Sequence, residues 1–112
     1  MNALAIADLV GDAEREFLAA LGTTFIVSSR ETFFESSYRG GFELILTDPK
    51  NRCEIVYSDM ELEVRCNGTE VFGTAAHEGF EGNMFSREHL REYLPRIAAS
   101  AANTARLSHG LA

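Results

Sequence analysis

Three sets of side chains in this chain have types and spacings that could do chemistry. Asp59, Glu61 and Glu63 form a D-x-E-x-E run. Strand alternation would put all three carboxylates on one face, and hard divalent cations in metal-dependent nucleases take such oxygen donors. That chemistry asks for a lysine two residues further on. Arg65 stands there instead, between Glu54 and Glu70, with no His or further Asp beside the set. An ordinary solvated strand face accounts for the three acids. His77, Glu78, Glu81 and His89 fall within thirteen residues and are zinc-ligand types. Their spacing matches no helical H-E-x-x-H motif, and Gly79 works against a helix there. Loop residues bonded to backbone, with His89 in the first turn of the last helix, account for them as well. Cys53 and Cys66 are the only cysteines. Two thiols do not complete a tetrahedral zinc site, and both fall on the expected core face, where a thiolate is disfavoured. No serine lies in a G-x-S-x-G elbow, and Gly40-Gly41 is a lone pair in a hairpin rather than a phosphate loop. The residues thus predict no catalytic group, no metal and no cofactor, with a small metal-binding enzyme built on residues 77–89 as the alternative.

The elements that position these residues follow from periodicity. Ile6, Val10, Ala13, Phe17 and Leu21 recur at helical spacing and predict a helix over residues 2–21 that stops at Gly22. Gly11 interrupts the stripe at a cost of about 1 kcal/mol and predicts a frayed or bent start. Asp8, Asp12 and Glu16 make a ridge of like charge along its polar side. From Phe42 the period changes to two: Phe42, Leu44 and Leu46; Cys53, Ile55 and Tyr57; Leu62, Val64 and Cys66. Turns at Asp48-Pro49-Lys50-Asn51, Asp59-Met60 and Asn67-Gly68 join these strands and that of residues 69–73. They set Leu46 opposite Cys53, Ile55 opposite Val64, Cys53 opposite Cys66, Val64 opposite Val71 and Arg65 opposite Glu70. A first strand is expected over residues 32–38, placing Tyr38 against Phe42 and Phe34 against Leu46, with residues 25–28 as a further edge. Residues 74–84 read as a loop. The last helix opens at Ser86 as N-cap, with Phe85 and Leu90 as a staple and Leu90, Leu94, Ile97 and Ala101 as its stripe. Pro95 should kink or restart it, and residues from 103 onward should fray. The expected fold is a single α+β domain over residues 1–112: a helix, an antiparallel meander of about five strands, and a helix, both helices on one sheet face.

That arrangement leaves the other sheet face to explain. Its rows read Glu43, Val56, Glu63, Phe72 and Ile45, Glu54, Arg65, Glu70, with Glu61 at one end and Phe33 and Glu35 as possible extensions. Apolar side chains ringed by carboxylates are how protein-binding surfaces are built. The same pattern also suits a face covered by the chain's own N-terminal segment, a homodimer interface, or plain surface.

Bulk properties agree with a small globular domain. The chain has 112 residues, 46% of them apolar and 24% charged, with a net charge of −7. Residues 31–81 carry eleven acids against four bases, whereas residues 82–112 carry two acids and four Arg. An acidic middle argues against nucleic acid as a direct ligand and suits a basic protein partner. No apolar run spans a bilayer, and the N-terminus lacks a basic signal-peptide region, so a cytoplasmic location is expected.

The helix end FLAALG, the central EIVYSDMELEVR and the closing FSREHLREYL together resemble the small cytoplasmic immunity proteins of bacterial toxin systems, over residues 14–97. That resemblance implies tight binding of one cognate toxin, often a basic nuclease or other enzyme, with its active site blocked. The carboxylates of the outer sheet face would then be the contact residues. Phage-encoded inhibitors of host defence proteins share the same physical profile.

Overall fold

A computed structural model describes residues 5–33, 40–58, 61–73 and 87–107, apart from the side chains of His89 and Leu107. The order is α1 (Ile6–Leu21), β1 (Ile26–Phe33), β2 (Gly41–Thr47), β3 (Arg52–Ser58), β4 (Glu61–Cys66), β5 (Thr69–Gly73) and α2 (Arg87–Leu107). The strands form one antiparallel sheet in sequential order, β1-β2-β3-β4-β5. This is the expected α+β architecture. The helices pack on each other, α1 over β1 and β2 and α2 over β4 and β5.

The central hairpins take the register that their turns dictate. Phe42 faces Tyr57, Leu44 faces Ile55 and Leu46 faces Cys53. Ile55 then faces Val64, Tyr57 faces Leu62 and Cys53 faces Cys66. The Asp48 carboxylate holds the first turn by accepting from the Lys50 and Asn51 backbone N–H at 2.8 and 2.7 Å. It also accepts from the Asn51 amide at 2.9 Å and the Thr24 hydroxyl at 3.2 Å. At the β4–β5 turn Asn67 and Gly68 have φ of 54° and 81°, the pair of positive values that a type I′ turn needs.

One core fills the space between helices and sheet. Ile6, Leu9, Val10, Ala13 and Phe17 come from α1, and Leu90, Leu94, Ile97, Ala98 and Ala101 from α2. The inward residues of β2, β3 and β4 complete it. Gly11 lies within α1, so the helix passes through it. The charged ridge of α1 is tied down at one point, where Asp12 pairs with Arg15 at 3.0 Å and with Arg91 of α2 at 3.4 Å.

Four expectations need correction. The strand preceding β2 starts at Ile26 rather than at residue 32, and its described part is Ile26–Phe33. Thr32 opposes Phe42 and Val27 opposes Leu46, and Phe34 and Tyr38 lie outside the described residues. On β5 the pairing slips between Arg65 and Val64, so that Val64 faces Phe72 rather than Val71. α2 runs through Pro95 without a restart. Pro95 and Arg91 are both exposed, so the Arg91 carbonyl that loses its helical partner lies on the solvent side. The helix also continues past residue 103 to Leu107, because Ala105 extends the buried stripe of Ala98 and Ala101 by one more turn. Ser86, Phe85 and the Asp59-Met60 turn lie outside the described residues.

Candidate functional site

Both helices occupy the face onto which Leu44, Ile55 and Val64 point, and no described element covers the other. Pairing defines its rows. One runs Glu31, Glu43, Val56, Glu63, Gly73, and the next runs Ser29, Ile45, Glu54, Arg65, Glu70. Phe33, Gly41, Ser58 and Glu61 line one margin, and Ile26, Thr47 and Arg52 the other. Of the expected contact residues, Glu43, Ile45, Glu54, Val56, Glu61, Glu63 and Glu70 therefore share this face. Phe72 does not. The bulge makes Val71 the extra residue, and both Val71 and Phe72 pack on the core from the helix side, beside Tyr93 and Ile97 of α2.

Among the described residues the exposed large apolar side chains are Ile26, 63% exposed, and Phe33, 41% exposed. Both belong to this face, at the two ends of β1. Ile45 and Val56 are half-buried between them, shielded by neighbouring strands. Ile26 and Glu31 escaped the sequence reading because β1 breaks alternation at Ser28, where its pairing with β2 shifts. Arg30 and Thr32 further mask the strand by occupying helix-side positions. Arg30 is at home there because it reaches Glu14 of α1 at 3.3 Å.

The face carries six Glu against two Arg. Arg52 binds Glu54 at 2.8 Å and Arg65 binds Glu63 at 3.2 Å, each two residues along its own strand. Arg65 lies between Glu54 and Glu70 in register, as expected, yet its hydrogen bond goes to Glu63. That bond and the Glu63 charge, reinforced by Glu70 and Glu54, hold the guanidinium above its ordinary range. Glu31 and Glu43 are different. They are direct cross-strand partners, and neither carboxylate has a hydrogen bond or ion pair with a described residue. Like charges directly opposite one another destabilise a sheet. Here the repulsion stands next to Val56, with Glu63 on the strand beyond it.

Among the described residues no group of three or more His, Cys, Asp and Glu could hold a metal ion. Glu61 and Glu63 share a face, as alternation requires, while Asp59, His77, Glu78, Glu81 and the His89 side chain lie outside the described residues. Among the described residues no helix is long and apolar enough to cross a membrane. No protein-family model, curated protein or solved structure matches the chain.

Proposed function

We propose that this protein is a non-catalytic binding module that takes a basic protein partner on its outer sheet face, in the manner of an immunity-type inhibitor. The observation that carries the reading is the opposed Glu31–Glu43 pair. A like-charge pair to which no described Arg or Lys is bonded lowers the stability of the free protein, and a Lys or Arg of a partner placed between the carboxylates would relieve it. Around the pair, Val56, Ile45 and Phe33 supply apolar area. The remaining carboxylates form a rim that speeds encounter with a positive surface. Among the described residues no element covers the face. The resemblance to toxin-neutralising proteins points the same way, with a basic nuclease or other enzyme as the class of partner. An inhibitor of a host defence protein would use the same surface.

The test is capture from host extract with the immobilised protein at low salt. A double variant, Glu43→Lys with Glu63→Lys, cancels the net charge of the face, and Glu88→Lys with Glu92→Lys on α2 makes the same change in net charge elsewhere. A basic protein should be retained by the parent and by the α2 variant, be released by salt, and be lost from the face variant. Retention of the same proteins by all three would refute the proposal.

A further inference from the structure

Cys53 and Cys66 are fully buried, unbridged and direct partners across β3 and β4. Their place in the ladder is fixed by the next position. The Asn67 N–H donates to the Arg52 carbonyl at 2.8 Å, which makes Arg52 and Asn67 a hydrogen-bonded position. The cysteines, one step along, therefore occupy a non-hydrogen-bonded position. Opposed Cα atoms at such positions are about 4.5 Å apart, and their side chains approach most closely there. Disulfides span Cα separations of about 4.4–6.8 Å.

We propose that Cys53 and Cys66 are a reversible dithiol–disulfide site whose oxidant is a low-molecular-weight disulfide. The site is independent of the outer face, because both thiols point toward the helices. The neighbouring Cys66 and burial push the Cys53 thiol up in the folded protein. Either cysteine, once the hairpin opens and its thiol ionises, is the attacking group. It displaces one thiolate from the small disulfide and forms a mixed disulfide. The other cysteine then gives up its proton and attacks the sulfur of the first, expelling the second small thiolate. The protein loses two electrons and two protons, and one small disulfide becomes two small thiols.

Closing residues 53–66 makes a loop of 14 residues. Fusing so short a loop favours the folded chain by a factor of about a hundred, if the native geometry accepts the bond without strain. By linkage, folding then favours the disulfide by the same factor. The experiment equilibrates the protein in glutathione redox buffers, from the reduced and the oxidised side, in native buffer and in concentrated urea. Approach from both sides, through refolding, removes burial as a kinetic limit. Acid quenching and mass spectrometry give the ratio of dithiol to disulfide. The expected native product is a monomer lighter by about 2 Da, with the Cys53 and Cys66 peptides linked. Its effective thiol concentration should be about a hundred-fold higher than in urea. An equal or lower native value, or a native population dominated by glutathione adducts or linked dimers, would overturn the proposal.

Discussion

Replacing Glu43 by Gln should make the free protein more stable while weakening its function, and the size of the first effect follows from the sheet. Glu31 and Glu43 oppose each other across β1 and β2, so their carboxylates sit about 6 Å apart on the geometry of cross-strand partners. At that distance two unit charges in bulk water repel by about 0.7 kcal/mol. Salt at 0.15 M, with a Debye length of about 8 Å, removes roughly half of this. Gln keeps the shape of Glu, and no described hydrogen bond or ion pair is lost with the charge. For a domain of this size about 0.7 kcal/mol corresponds to roughly 2–3 °C in Tm. Glu43→Gln should therefore melt about 2–3 °C above the parent at 10 mM salt, with the gap narrowing by half at 0.15 M. Thermal unfolding followed by circular dichroism at the two salt concentrations measures both. A variant that melts at or below the parent at low salt, or a gap that does not shrink with salt, would refute the claim that the pair is held against stability.

Other consequences are structural. Gly41 opens β2 against the backbone of β3, where an added Cβ would lie 1.8 Å from the Tyr57 carbonyl oxygen. Gly41→Ala should cost about 3 kcal/mol in urea denaturation, because the strands must part to admit the methyl group. Leu94 is 1% exposed at the seam of α2 and the core, so Leu94→Ala should cost roughly 2–5 kcal/mol by the same assay. Slight burial raises the Asp48 carboxyl, but hydrogen bonds from Lys50, Asn51 and Thr24 outweigh it and lower the pKa below 3.8. Such a group stabilises the fold above its unfolded pKa and loses that effect as pH falls through the lower folded value. The Tm difference between the parent and Asp48→Ala should accordingly be full near pH 6 and shrink below about pH 4.

The centre of the sheet was legible because turn chemistry and alternation agree there. Asp48 to Asn51 and Asn67-Gly68 each admit one register, and a slip of one residue would have sent Ile55 and Val64 to solvent. The two edge strands were less legible for one physical reason, a bulge. At Ser28 the bulge moves β1 out of step, and Arg30 and Thr32 at helix-side positions conceal what remains of the pattern. In β5, Val71 and Phe72 are adjacent apolar residues in a structure of period two. Only the extra residue opposite β4 lets both turn toward the core, and sequence does not announce it. The continuation of α2 was readable from Ala98, Ala101 and Ala105 at helical spacing, but small side chains carry a weak hydrophobic signal. In the candidate site the carboxylates of β2, β3 and β4 were found by alternation. Ile26 and the opposed Glu31–Glu43 pair emerged only from the β1–β2 register.

The central claim is that the outer sheet face steers and holds a basic partner, and association kinetics of the captured partner test it most directly. Rim charges act chiefly on the association rate, so the parent should associate about ten-fold or more faster at 50 mM than at 300 mM salt. Glu43→Lys with Glu63→Lys should associate slowly at both concentrations, with little salt dependence and a near-parental Tm. If instead this variant associates at the parental rate and keeps the parental salt dependence, the outer face takes no part in binding and the account fails.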